Sequence, residues 1–372
     1  MKQEVRPVPL SGPYVDEREE ELVLEVLRSG RLSLGPTTDR FEELFAAKVG
    51  APYAAAVSSG TAGLHLLCIS AGIGPGDEVV TTPYSFAATA NCFVYEGGVP
   101  VFADVDARTL NVDPAAVEAA ITPRTKAIVA VDIYGYPCEL DELRAIAERH
   151  GLAIIDDSCE ALGARYKGAP LGSQGVSAVF AFYPNKQMTT GEGGMVTTHS
   201  EDEWRLLRSL RNQGRGDEGG WLEHVRLGFN YRLDDIGAAI GIGQLEKLDE
   251  ILATRAEVAR RYGELLAGLP GVELPCSDDG EHERSWFVYV VRLPDNETRE
   301  RVIAHFERER IGYNRYLPSI HLQPYMRERY GFREGMCPVS EDASSRTLAL
   351  PFFTALQRDA QERVAEALAS VL

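Results

Sequence analysis

The first two-thirds of the chain alternates two hydrophobic periods. In "RFEELFAAKVG" the positions of Phe41, Leu44, Phe45 and Val49 predict one apolar face of a helix. "AAAVSSG" reads as a strand running into a turn. "AIVAVDIYG" and "LAIIDDS" are unbroken apolar runs of the kind found in strands covered on both faces. Between them, "LDELRAIAERHG" is amphipathic at helical period and stops at Gly151. Strands alternating with helices predict an α/β fold built on a mainly parallel sheet. Ligands of such sheets sit beyond the C-terminal strand ends, where Asp156, Asp157 and the "SSGT" turn fall.

From about Gly241 the pattern changes. "GQLEKLDEILATRAEVARRYGELLAGL" is helix-prone throughout, and "SWFVYVVRL" (285–293) reads as a strand. These patterns predict a large α/β domain over residues 1–245 and a smaller C-terminal α+β domain over 246–372.

Composition narrows the function classes. A chain of 372 residues with 44% hydrophobic and 25% charged residues is ordinary for a globular protein of two domains. The net charge of −18 argues against nucleic acid as a partner, because that affinity rests on neutralising phosphates. An anionic ligand must instead be held by a local pocket of donors. No apolar run approaches the length of a membrane span, and the N-terminal stretch lacks an apolar signal core, so a cytoplasmic protein with no membrane partner is expected. The six cysteines show neither CxxC nor zinc spacing, which predicts free buried thiols and no metal site.

The stretch "FAFYPNKQMTTGEGGMVTT" raises the chemical question. A β-prone run over 176–183 breaks at Pro184, presents Lys186, and passes into a glycine-rich turn over 191–194. A lone lysine is ordinarily solvated. This one follows an apolar run, and the glycines leave room for close approach of a ligand. A desolvated lysine is a usable amine nucleophile that forms a Schiff base with a carbonyl. Serving pyridoxal 5'-phosphate, such a lysine requires a carboxylate for the ring nitrogen, backbone N–H donors for the phosphate, and a flat face for the ring. Asp157 ends a buried strand and suits the first role; Ser59, Gly60 and Thr61 turn a strand into a helix and suit the second; Phe86 suits the third. Each also has a plainer structural reading, as a turn aspartate, a capping turn and a core aromatic. Their occurrence together carries the argument.

The set "GDEVVTTPYSFAATAN", "VFADVDARTLNVDP", "IIDDSCEALGARYKG", "YPNKQMTTGEGGMVTT" and "GFNYRLDDIGAAIGIGQLEKLD", in this order, resembles the DegT/StrS-type nucleotide-sugar aminotransferases over nearly the whole chain. The resemblance implies an aspartate-aminotransferase-type fold (pyridoxal-phosphate fold type I) and a homodimer with active sites at the interface. It implies Lys186 as the Schiff-base lysine, Asp157 as the carboxylate on the ring nitrogen, Gly60 and Thr61 in the phosphate turn, and Phe86 in the stacking position. Asn230, in "GFNYR", matches the asparagine that reaches the phosphate from the other subunit. Two positions depart from many relatives. Ala181 stands where they carry a phosphate-binding serine, and Glu160 replaces their Gln or His. Glu160, grouped here with Lys186 and Asp157 as catalytic, is similar to what perosamine synthases carry, which points to amination at C4 of a nucleotide-linked 4-keto-6-deoxy sugar.

Candidate substrate contacts are His321 in "SIHLQPY", where relatives carry a histidine near the sugar, together with Arg232 and Tyr316. Arg232 and Arg215 (in "NQGRGDEGG") suit bidentate contact with a donor carboxylate or a nucleotide diphosphate, and Glu192 suits a turn acceptor. "GIGPGDE" lacks the strand–GxGxxG–helix order of a dinucleotide site. The expected activity is amino transfer from L-glutamate to a nucleotide-diphosphate 4-keto-6-deoxy sugar. The alternatives are the same chemistry on a 3-keto sugar or keto-inositol, and a regulatory protein that binds the cofactor without turnover.

Overall fold

The computed structural model describes residues 6–216 and 222–372. Its centre is a sheet of β1 (Tyr53–Val57), β2 (Glu78–Thr81), β3 (Val99–Phe102), β4 (Thr125–Val131), β5 (Ala153–Asp157), β6 (Ser177–Ala181) and β7 (Gly194–Thr198). The spatial order is β1-β7-β6-β5-β4-β2-β3. The pairings among β2 to β6 are parallel, whereas β7 runs antiparallel to both β6 and β1. Six strands therefore end on one edge of the sheet, and β7 alone starts there.

Strand period 2 builds both faces of the core. Along β4, Ile128 and Ala130 join the cluster under the helices Pro36–Val49, Leu140–His150 and Asp235–Glu246, while Ala127 and Val129 join the cluster under Gly60–Ser70, Ala88–Val94 and Glu201–Arg211. In Pro36–Val49, Phe41, Phe45 and Val49 are buried as expected, but Leu44 lies outside the stripe and is exposed. Among the described residues no helix is long and apolar enough to cross a membrane.

Two C-terminal expectations change. The helix-prone stretch after Gly241 is two helices, Asp235–Glu246 and Leu248–Leu266, broken at Lys247, whose ammonium lies 2.7 Å from Asp16 and 2.8 Å from Glu19. The expected boundary at 245/246 falls in the last turn of the first helix. The strand expected over 285–293 shortens to Tyr289–Arg292, paired with Thr347–Leu350. Its first residues spend their polar groups elsewhere. Ser285 N–H donates to the Gly135 carbonyl, and the buried Arg255 guanidinium takes the carbonyls of Trp286 and Phe287 at 2.8 and 2.6 Å. Around this pair Val258, Tyr262, Phe306, Leu348 and Val364 form a further apolar cluster.

Candidate active site

The C-terminal edge of the sheet opens into a cavity of about 550 Å³. Lys186 follows β6 by way of a turn in which its N–H donates to the Tyr183 carbonyl at 2.9 Å. The turn carries its side chain inward, leaving it 13% exposed. The ammonium lies 3.9 Å from the centre of the Phe287 ring and 3.5 Å from Oε1 of Glu160. The second carboxylate oxygen of Glu160 accepts the Tyr134 N–H at 3.0 Å. Tyr134 reaches that position with φ +55°, in the left-handed region where a non-glycine residue costs about 1–3 kcal/mol. Burial pushes the Glu160 carboxyl up, while the positive charge of Lys186 opposes this and Asp157 adds to it.

Asp157 ends β5, buried, and both its oxygens are partnered. Oδ2 accepts the Thr89 hydroxyl at 2.7 Å and Oδ1 the Cys159 N–H at 3.3 Å. The Thr89 oxygen lies 2.8 Å from the Ser85 hydroxyl. With the only Thr89 proton committed to Asp157, Ser85 must donate in turn to Thr89. Two residues of the helix Ala88–Val94 and its approach thus hold the carboxylate in a fixed orientation.

On the far side of the cavity, β1 runs into the helix Gly60–Ser70. Ser59 caps it, its hydroxyl accepting the Ala62 N–H at 3.1 Å. Gly60 and Thr61 thus supply unpaired first-turn N–H groups and the positive end of the helix dipole to the cavity wall. A Cβ at Gly60 would stand 2.8 Å from both the Ala181 Cβ and the Cys159 Sγ, so only glycine fits between these strand ends. Gly194 is required for a related reason. A Cβ there would lie 2.8 Å from the Gly60 N. The glycine-rich turn was expected to leave room for a ligand; at this residue it lets β7 start against the Ser59–Gly60 turn instead.

Phe86 lines the same cavity and is 66% exposed, leaving a ring free to be covered. Tyr316 lines it as well, its hydroxyl 3.5 Å from the Asn185 amide, and burial pushes its phenol up to about 12. Ala181 and Glu192 are also in the wall.

Four expected site residues, His321, Arg232, Asn230 and Arg215, are not in this wall. His321 is fully buried, 2.9 Å from Glu341 and packed near Phe102, and does not line the cavity of its own chain. Arg232 lies in a separate cleft with Arg208 and Arg211, donating to the Asn212 side chain at 3.0 Å. Burial and the charges of Arg215 and Arg211 push its guanidinium down. Asn230 is exposed and bridged through its backbone to Asn212. Residues 217–220 of "NQGRGDEGG" lie outside the described residues.

Sequence reasoning missed Thr89, Tyr134 and Phe287. Thr89 follows Phe86 by three residues in "SFAAT", and its N–H donates to the Phe86 carbonyl where the chain enters the helix Ala88–Val94. Tyr134 and Phe287 carry no local signal, because only tertiary folding brings them to Glu160 and Lys186.

The residues present fit pyridoxal phosphate. The cavity brings together a half-buried amine, a partnered buried carboxylate, a helix N-terminus closed to any Cβ, and an uncovered aromatic ring. Comparison with known proteins agrees. Residues 13–369 match the DegT/DnrJ/EryC1/StrS aminotransferase family. The spore coat polysaccharide biosynthesis protein SpsC of Bacillus subtilis (strain 168) is 38% identical over 379 residues, spanning 98% of this chain and 97% of its own. The structure of DesV from S. venezuelae superposes with a TM-score of 0.91 at 34% identity, covering 97% of this chain and 98% of that one. The pyridoxal-phosphate form of Spr1654 from Streptococcus pneumoniae superposes with a TM-score of 0.93 at 27% identity, covering 98% of each chain. The fold is therefore that of the type I pyridoxal-phosphate aminotransferases. By its match over nearly its whole length, the chain belongs to the DegT/DnrJ/EryC1/StrS family and is a pyridoxal-phosphate-dependent aminotransferase.

Proposed function

We propose that this protein is a sugar aminotransferase that moves the amino group of L-glutamate to C4 of a nucleotide-linked 4-keto-6-deoxy sugar. It acts in the cytoplasm as a homodimer with sites at the interface. The observation that carries the reading is the convergence of Lys186, Asp157 and the Ser59–Gly60–Thr61 turn on one cavity. The polysaccharide role in the name of the SpsC relative and the Glu160 position support the sugar substrate and C4, respectively.

Bound at this site, pyridoxal phosphate supplies a carbon that carries the amino group and a ring that accepts the electrons of a carbanion. Lys186 is the amine that holds it, and Gly60 and Thr61 donate N–H groups to its phosphate at the helix N-terminus. The Ala181 position contributes no hydroxyl there. Phe86 covers one ring face. Asp157, oriented by Thr89 and the Cys159 N–H, would hold a proton on the ring nitrogen. Freed by the donor amine, Lys186 would take a proton from the donor α-carbon at Nζ as base and later give it up as acid. The second half-reaction runs in reverse on the keto sugar. The partner subunit's Asn230 completes the phosphate contacts, and Tyr316 meets the sugar. Arg232 meets the diphosphate or the donor carboxylate.

The test starts from protein converted by excess L-glutamate to its amine-bearing form. A panel of nucleotide-linked 4-keto-6-deoxy and 3-keto sugars and a keto-inositol is added, and return of the visible cofactor band is followed. Return with a 4-keto-6-deoxy sugar is expected. Return only with a 3-keto sugar or a keto-inositol overturns the C4 assignment.

A further inference from the structure

Lys186 has to shed a proton before it can act as nucleophile or base, and the site constrains where that proton goes. Glu160 Oε1, at 3.5 Å, is its ion-pair partner. The other Glu160 oxygen is pinned by the Tyr134 N–H, so Oε1 is the one left facing the amine. Asp157 is a poor acceptor because both its oxygens already take hydrogen bonds. Burial pushes the phenols of Tyr134 and Tyr316 up, which keeps both neutral.

We propose that Glu160 and Lys186 share one proton, and that its transfer from Nζ to Oε1 frees the amine without exchange with bulk water. In the step an N–H bond breaks, an O–H bond forms, and the ion pair becomes an uncharged acid and amine. The net charge of the pair is unchanged. Closing the gap from 3.5 Å to hydrogen-bond length takes less than about 1 Å of side-chain movement.

Opposing forces act on this proton. The Phe287 ring 3.9 Å from the ammonium favours the charged pair. The burial of both side chains, 13% and 11% exposed, favours the uncharged pair, since two desolvated charges are expensive. The negative charge of Asp157 adds to the upward push on the Glu160 carboxyl. A proton held near balance moves in either direction at low cost, which a group acting alternately as base and acid requires. The strained Tyr134 backbone acquires a role in this arrangement, fixing Glu160 so that a single oxygen faces the amine. Glu160 is thus a proton partner that acts through Lys186. The inference rests on the reading of Lys186 as the cofactor-bearing amine and extends it.

The experiment follows loading of cofactor-free protein with pyridoxal phosphate, read as the rate of appearance of the visible band from about pH 6 to about pH 8.5. It requires cofactor binding but no turnover. A pair that keeps one proton across this range presents the same fraction of free amine at every pH, so the wild-type rate should be nearly flat. Glu160→Gln has no acceptor, and its rate should climb about tenfold per pH unit while the amine is still protonated. Glu160→Asp should keep the flat profile at a lower rate, because its carboxylate stands further away. A merely structural Glu160 would change the rate without changing its slope. Equal slopes in wild type and Glu160→Gln overturn the proposal. So does a wild-type rate that itself climbs tenfold per pH unit, a result that needs no variant to fold. Protein that loads with a flat profile but is never discharged by L-glutamate would uphold the shared proton and defeat the aminotransfer reading, so the two failures are distinct.

Discussion

Replacing Asp156 with Asn should remove a pH dependence from the stability of the protein. Asp156 and Asp132 are both buried behind the site, and both reach the hydroxyl of Ser158, at 3.1 and 2.6 Å. Asp132 also accepts the Cys138 N–H at 2.8 Å, but Oδ1 of Asp156 has no partner among the described residues. Burial pushes both carboxyls up, Asp156 further, with the negative charge of Asp132 adding to the effect. The folded pair therefore keeps a proton that the unfolded chain, with aspartate near its ordinary value of about 3.9, gives up early. A carboxyl raised in the folded state stabilises fully below the unfolded value, and that stability is lost as pH rises toward the folded value. The difference is one proton, so the loss is about 1.4 kcal/mol per pH unit for as long as the folded pair retains it. Asn keeps the volume and a donor toward Ser158 and Asp132, and it does not titrate. Urea unfolding of wild type and Asp156→Asn at a series of pH values above about 4 should show the variant gaining on wild type as pH rises, by at most about 1.4 kcal/mol per pH unit. A difference that stays constant across pH would refute the shared burial of one proton.

Thr89→Val removes the hydroxyl that holds Asp157 at 2.7 Å. A hydrogen bond to a charged group is worth about 1.5–3 kcal/mol, so the glutamate half-reaction, followed by stopped-flow absorbance, should slow about 10- to 100-fold. Gly60→Ala must find space 2.8 Å from Ala181 and Cys159. Such overpacking costs about 1–3 kcal/mol, and because the displaced atoms line the phosphate turn, equilibrium dialysis should show pyridoxal phosphate held at least about fivefold more weakly. Ala181→Ser restores a hydroxyl beside that turn and should tighten cofactor binding about fivefold, for about 1 kcal/mol of added hydrogen bonding.

Much of the sheet could be read along the chain because each of its strands is a short run whose alternate residues enter opposite core clusters, as β4 shows at Ala127 to Ala130. The site was legible where its chemistry is local. Lys186, Asp157 and the Ser59–Gly60–Thr61 turn each stand at the end of a strand, and parallel pairing brings such ends to one edge. What lay hidden is tertiary. Thr89 meets Asp157 across 68 residues and Tyr134 meets Glu160 across 26, with neither separation implied by any period. The 285–293 run has strand-like residues, yet its first half forms no strand because Gly135 and Arg255 claim its backbone groups. His321 reads as a loop histidine, but Glu341, twenty residues further on, holds it in the interior. Arg232 and Asn230 stand outside the cavity of their own chain, and the role that the resemblance implies for Asn230 calls on a second subunit, which the periodicity of one chain does not describe.

The central claim is that Lys186 carries amino transfer from L-glutamate. The measurement that tests it most directly adds L-glutamate to pyridoxal-phosphate-loaded protein and follows the visible band together with release of 2-oxoglutarate. Wild type should lose the band and release one equivalent of 2-oxoglutarate per site, and Lys186→Ala should do neither at a measurable rate. A wild-type band that L-glutamate leaves unchanged, or an Ala variant that turns over at the wild-type rate, would contradict the account.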